Sequence, residues 1–226
     1  MNGAKFILKP LMWNTANYKS PSGAKVEGWA KAYGFGVEEW NNSSRMVSAN
    51  GAERYFHTEA GETIIGSHSD FNGRFVIFMI ASHDGRQDLV GVAGNAIFIT
   101  DKAERAAIAN EIKLDEFAED AWRLDKVKTK FHHTRQEFDK FWQREEIVNW
   151  IPCWRCPADH FLWLNPPVKL DAQQITDKKK LISRHSSYQN LDARAADKIL
   201  RSIPQNQRSP NWDNLLALIS PHYRPS

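Results

Sequence analysis

Hydrophobic and polar positions change period along this chain, and the changes mark its elements. Residues 5–11 (KFILKPL) alternate loosely and predict an opening strand. Residues 14–28 are turn-rich, with Pro21 and Gly23 as breakers. Residues 28–44 (GWAKAYGFGVEEWNNSS) crowd glycines and aromatic rings together, which suits a shaped loop better than a regular helix. Residues 74–80 are a β-branched and aromatic run, His83-Asp84-Gly85-Arg86 makes a turn, and residues 89–99 form a second run, so the three together predict a β-hairpin. Beyond Thr100 and Asp101, either of which suits a helix N-cap, Ala107, Ile108, Ile112, Phe117 and Ala121 recur at helical spacing and predict a helix or two. Residues 131–150 mix charge and aromatic rings at no clean period and read as partly helical. Pro152 and Pro157 bracket a kink before a strand at residues 161–164, and helices follow at residues 192–202 and 211–219. Strands come first, helices between, then a strand and helices again. That order predicts an α+β fold with a curved, mainly antiparallel sheet flanked by helices.

Composition narrows the picture. A chain of 226 residues can bury a sizeable core, and 42% hydrophobic with 25% charged residues is ordinary globular usage, which argues against wholesale disorder. Nine tryptophans are unusual, because Trp is costly to bury and its indole ring is well suited to flat stacking. Net charge is only +3, so bulk attraction to nucleic acid is modest and any such site must be a local basic patch. No apolar run approaches the length of a membrane span, and the opening MNGAKFILKP lacks a signal-peptide core, so no membrane partner is expected. Two cysteines do not make a disulfide framework, which favours a reducing, cytoplasmic setting.

Several stretches together resemble a known family. Residues 160–170 (HFLWLNPPVKL) precede Lys178, Lys179 and Lys180, and residues 181–203 (LISRHSSYQNLDARAADKILRSI) give a polar loop carrying Gln189 and a helix of the form A-x-x-I-L-x-x-I from Ala196 to Ile203. Together with the opening Phe6-Ile7-Leu8-Lys9 and the Gly91-Val92-Ala93 element of the hairpin, these resemble the YTH and EVE domains of the PUA-like superfamily. The resemblance runs from residue 5 to about residue 203. It implies a PUA-like pseudo-barrel over residues 1–205 with an insertion near residues 100–150, followed by a C-terminal helix and tail at residues 206–226. It also implies a reader of modified bases in DNA that flips the base into an aromatic cage. The resemblance further implies a restriction or defence setting, and since no H-N-H pattern is present here, any cutting activity would lie on another domain or subunit. Ser186 and Ser187 stand where YTH domains carry Arg and Asp, so a preference for N6-methyladenine does not transfer.

The candidate residues follow from this reading. Trp29, Tyr33 and Trp40 supply one wall of a cage, Trp40 above all because two acids and two asparagines flank it. Trp154 supplies the other wall, with Trp150 as its substitute. The plainer alternative is that these rings fill the core. Asn14 and Asn95 are candidates for reading the base edge, against a role as Asx-turn residues. Lys9, the lysine run including Lys179, Arg184, His185, Ser187 and Gln189 supply phosphate and sugar contacts. Cys153-Trp154-Arg155-Cys156 could hold zinc only with His160 and His132 or His133, at spacings unlike ordinary fingers, so free thiols and no cofactor are expected. No P-loop, G-x-S-x-G, H-E-x-x-H or dinucleotide-binding glycine pattern is present, and no catalytic residue is assigned. The alternatives are an RNA-binding or RNA-modifying factor on the same fold, and a nuclease whose acids converge only in three dimensions.

Overall fold

The structure is a computed structural model that describes residues 3–23, 29–143, 152–183 and 187–222. Its strands are β1 (Lys5–Leu11), β2 (Glu53–Phe56), β3 (Phe75–His83), β4 (Arg86–Phe98), β5 (Trp154–Pro157), β6 (Phe161–Lys169) and β7 (Gln189–Leu191). Its helices are α1 (Trp29–Tyr33), α2 (Gly61–His68), α3 (Lys102–Glu111), α4 (Leu114–Trp122), α5 (Asp125–Lys130), α6 (Arg135–Trp142), α7 (Ala172–Thr176), α8 (Ala193–Arg201) and α9 (Pro210–Ile219).

The fold is a mixed α+β arrangement around a seven-stranded open sheet, in the order β2-β5-β4-β3-β1-β7 with β6 pairing β4 beside that path. This corrects the curved pseudo-barrel expected from the sequence. Closure needs end strands that meet in a staggered ladder. Here the end strands β2 and β7 are four and three residues long and do not pair with each other. The sheet is also mixed, because β1 runs parallel to β3 over its whole length, from Lys5 opposite Phe75 to Leu11 opposite Ala81.

The chain divides into two compact units: residues 1–11, 59–98 and 156–226 form one, and residues 12–58 and 99–155 the other. In the first, β3 and β4 form the expected hairpin. Asp84 and Gly85 at its tip have φ of 47° and 75°, the left-handed pair that a two-residue turn between twisted strands requires. One face of this sheet presents Phe6, Leu8, Val76, Phe78 and Ile80 to α8 and α9 in a common apolar core. Helix α8 starts where Asp192 accepts from Ala195 N at 2.7 Å, and it buries Ala195, Ala196, Ile199 and Leu200 as one stripe. Trp212 of α9 locks onto it by donating Nε1 to the Leu200 carbonyl at 2.9 Å.

The second unit has its own core, whose large rings include Phe35, Trp40, Phe117, Phe138 and Trp142. Asp101 caps α3 by accepting from Ala103 N at 2.6 Å and Glu104 N at 3.2 Å. The predicted helical stretch breaks at Lys113, whose φ of 54° is left-handed, so α3 and α4 are separate helices.

Gly91 of β4 is a close-approach position: a Cβ there would stand 2.6 Å from Trp163 Cε3 and 3.2 Å from the Leu162 carbonyl oxygen. Gly91→Ala is therefore expected to destabilise the chain by about 1–3 kcal/mol through overpacking, measured by urea unfolding.

A basic groove as the candidate functional site

The tip of the β3–β4 hairpin and the chain after β6 enclose a groove of about 860 Å³. One wall is Ser82, Asp84, Gly85, Arg86 and Gln87, and the other is formed by residues 169–173 and by Lys178, Lys179, Lys180 and Ile182. Five cations line it, Arg86, Lys169, Lys178, Lys179 and Lys180, against two acids, Asp84 and Asp171. All five cations are exposed. The acids are partly committed: Asp171 Oδ1 caps α7 by accepting from Gln173 N at 3.0 Å and Gln174 N at 3.2 Å, and Asp84 Oδ2 lies 3.3 Å from His83 Nδ1. Arg86 is oriented by donating Nε to Asp88 Oδ2 at 3.0 Å, a carboxylate that is buried and also meets His83 Nε2 at 2.7 Å. Positive charge is thus concentrated on both walls in a molecule of low net charge.

Lys178, Lys179 and Lys180 of the lysine run line this groove. Arg86 and Lys169 were not expected there. Arg86 reads in sequence as a turn residue, and Lys169 as the end of a proline-bearing segment; only folding brings them opposite the lysines. Lys9 is elsewhere. It is 1% exposed and donates Nζ to the Ser187 carbonyl at 2.5 Å, so its ammonium fixes the approach to β7. Gln189 opens β7 opposite Leu8 and is half-buried, while Ser187 is exposed. Arg184 and His185 lie outside the described residues.

The aromatic cage is corrected by burial. Trp40 and Trp154 are both 0% exposed, and Trp40 belongs to the core of the second unit. Trp40 packs edge-on against Phe35, Phe117 and Trp142, and donates Nε1 to Asp120 Oδ2 at 3.1 Å. Trp154 stacks on Phe56 at 6.0 Å and donates Nε1 to Thr58 Oγ1 at 2.9 Å. Tyr33 is half-buried, its ring stacked on Phe141 at 4.9 Å with Lys130 above it. Trp29 begins α1, but its side chain lies outside the described structure, and Trp150 lies outside the described residues. Trp40 and Trp154, both fully buried, form no opposed pair around an open slot, so they do not supply the two walls of a cage.

Asn14 holds backbone, and Asn95 shapes a strand irregularity. Asn14 is buried; its Oδ1 accepts from Ala16 N at 2.7 Å and Tyr18 N at 2.9 Å, and its Nδ2 donates to the Ser20 carbonyl at 2.9 Å and to Glu39 Oε1 at 2.8 Å. Glu39 also accepts from Ser22 N and Gly36 N, both at 2.9 Å. Burial pushes its carboxyl above the ordinary glutamate value, opposed by those donors. Asn95 has a φ of 51° and occupies a bulge where the β3–β4 register shifts between Phe75 and Ile77.

Cys153 and Cys156 are buried free thiols. Cys156 lies in β5 and Cys153 just ahead of it, and three residues of extended chain turn their side chains to opposite faces. Among the described residues no group of three or more His, Cys, Asp or Glu side chains is placed to hold a metal ion. Nor is any helix among them long and apolar enough to cross a membrane.

Two outcomes follow from these placements. Trp40→Ala and Trp154→Ala should each cost about 3–5 kcal/mol of unfolding free energy, measured in guanidinium, as expected for core rings. The purified chain should carry no stoichiometric zinc by elemental analysis and should melt at the same temperature in chelator, since thiols on opposite faces cannot share one tetrahedral ion.

Comparison with known protein families, with curated proteins and with solved structures gives no match, so the functional reading rests on the geometry of the groove.

Proposed function

We propose that this chain is a nucleic-acid-binding module that holds a sugar-phosphate backbone in the groove between the β3–β4 tip and residues 169–182. The observation that carries this reading is the convergence of Arg86, Lys169, Lys178, Lys179 and Lys180 on one groove in a chain whose net charge is only +3. Four of the five are lysines, compact charges on flexible stems. They suit sequence-independent phosphate contact better than the fixed fork needed to read a base edge. The lining supports the same division of labour: its apolar members are Leu170, Ala172 and Ile182, and no ring on which a base would stack is among the described lining residues. Backbone binding of this kind releases counterions and is therefore steeply salt-dependent.

The test is fluorescence anisotropy with matched duplex DNA, single-stranded DNA and RNA across a salt series. The K178A/K179A/K180A variant should bind more weakly, and the slope of log affinity against log salt should become shallower by roughly 2–3, since each phosphate contact on a duplex contributes about 0.9. Unchanged affinity and slope in this variant would overturn the reading. The matched probes separate DNA from RNA, because only RNA offers a 2′-hydroxyl.

A further inference from the structure

We infer that Gln87 is the positioning residue of the basic groove, and that its side-chain amide holds the lysine-bearing segment in the shape that meets phosphate. The inference rests on the reading above and adds a residue that touches no ligand in it.

Gln87 lies on β4 between the two residues that form the Arg86–Asp88 ion pair, and alternation along the strand turns its side chain away from theirs. There its amide acts as a short piece of strand. Nε2 donates to the Ile182 carbonyl at 2.9 Å, and Oε1 accepts from Leu181 N at 2.8 Å, so one side chain satisfies both a donor and an acceptor of consecutive residues. Its own main-chain carbonyl accepts from Leu170 N at 3.0 Å, which ties the end of β6 to the same point. A single residue thus connects the hairpin wall to both segments of the opposite wall.

The lysines lie on what this amide fixes. Leu181 and Ile182 are 0% and 2% exposed and belong to the core of the first unit. On the other side α7 ends at Asp177, whose φ is 59° and whose N–H donates to the Gln173 carbonyl at 3.1 Å. Lys178, Lys179 and Lys180 are therefore a three-residue tether between two anchored points, exposed along its length. Ordering a segment at the moment of binding weakens binding, and a tether already held in place avoids that loss. Glutamine suits this role because glutamate lacks the donor for Ile182 and an aliphatic side chain lacks both groups.

The experiment uses the full chain and a fluorescein-labelled duplex of about 20 base pairs at low and moderate salt. It compares the wild type, Gln87→Met and the triple lysine variant. Gln87→Met is expected to bind about three- to tenfold more weakly, with every lysine still present and the salt slope nearly that of the wild type. The Leu181 amide should exchange faster with deuterium while the melting temperature stays close to the wild-type value. Wild-type affinity and wild-type Leu181 exchange in Gln87→Met, alongside weakened binding by the triple variant, would overturn the positioning role and leave the groove reading intact. Wild-type binding by the triple variant would overturn both. Should Gln87→Met fail to fold, Gln87→Asn, one methylene too short to span the same gap, is judged by the same readouts.

Discussion

Strand β4 has to satisfy its backbone groups along both sides, and it does so against β3 on one side and against β6, over residues 88–93, on the other. That double pairing is the constraint on which the first unit depends. It seats Gly91 against Trp163, so sheet and side-chain packing are set together. It also brings Asp88 opposite Lys169, which places the hairpin tip beside the end of β6 and so creates the groove. The Asp84-Gly85 turn does the remaining work by reversing the chain within two residues, leaving Arg86 at the rim. Charge in the groove is thus a consequence of register. A one-residue slip in β4 would turn Arg86 and Gln87 to the wrong faces and remove both the cation and the amide that secures the opposite wall.

Local structure was legible in the sequence where a single segment carries its own signal. Strand β1, the hairpin with its Asp-Gly turn, and the aspartate-capped helices α3 and α8 declare themselves through period and capping chemistry. The sheet's openness was not legible, because it depends on partners far apart: β1 alongside β3 in parallel, and ends made of the short segments ERYF and QNL. Segments that short have no period to detect. The site divides along the same line. Three successive lysines are visible as charge, whereas their apposition to Arg86 and Lys169 arises only from strand pairing.

The tryptophans failed for a different reason. Glu38, Glu39, Asn41 and Asn42 flank Trp40 in a way that suggests exposure, as polar neighbours ordinarily do. Here three of the four are themselves buried. Glu38 accepts from Met12 N at 3.0 Å, and Asn41 exchanges two hydrogen bonds with the His57 backbone, each at 2.8 Å. A polar residue that closes a backbone hydrogen bond is as much part of the interior as the ring beside it. Composition cannot distinguish such a residue from a solvated one.

The division into two units has a consequence for how the chain is made. One unit is assembled from three separated segments and the other from two, so the polypeptide passes between them four times. Strand β1 has no parallel partner until β3 emerges more than sixty residues later, and the core it helps to form is completed only by α8 and α9, more than a hundred residues further on. Neither unit can be released by a single proteolytic cut. A product stopped before residue 156 would carry the hairpin without β6, β7 or the helices that cover it, and a long apolar edge would face solvent. Premature termination in this protein therefore yields aggregation-prone fragments rather than a smaller working domain.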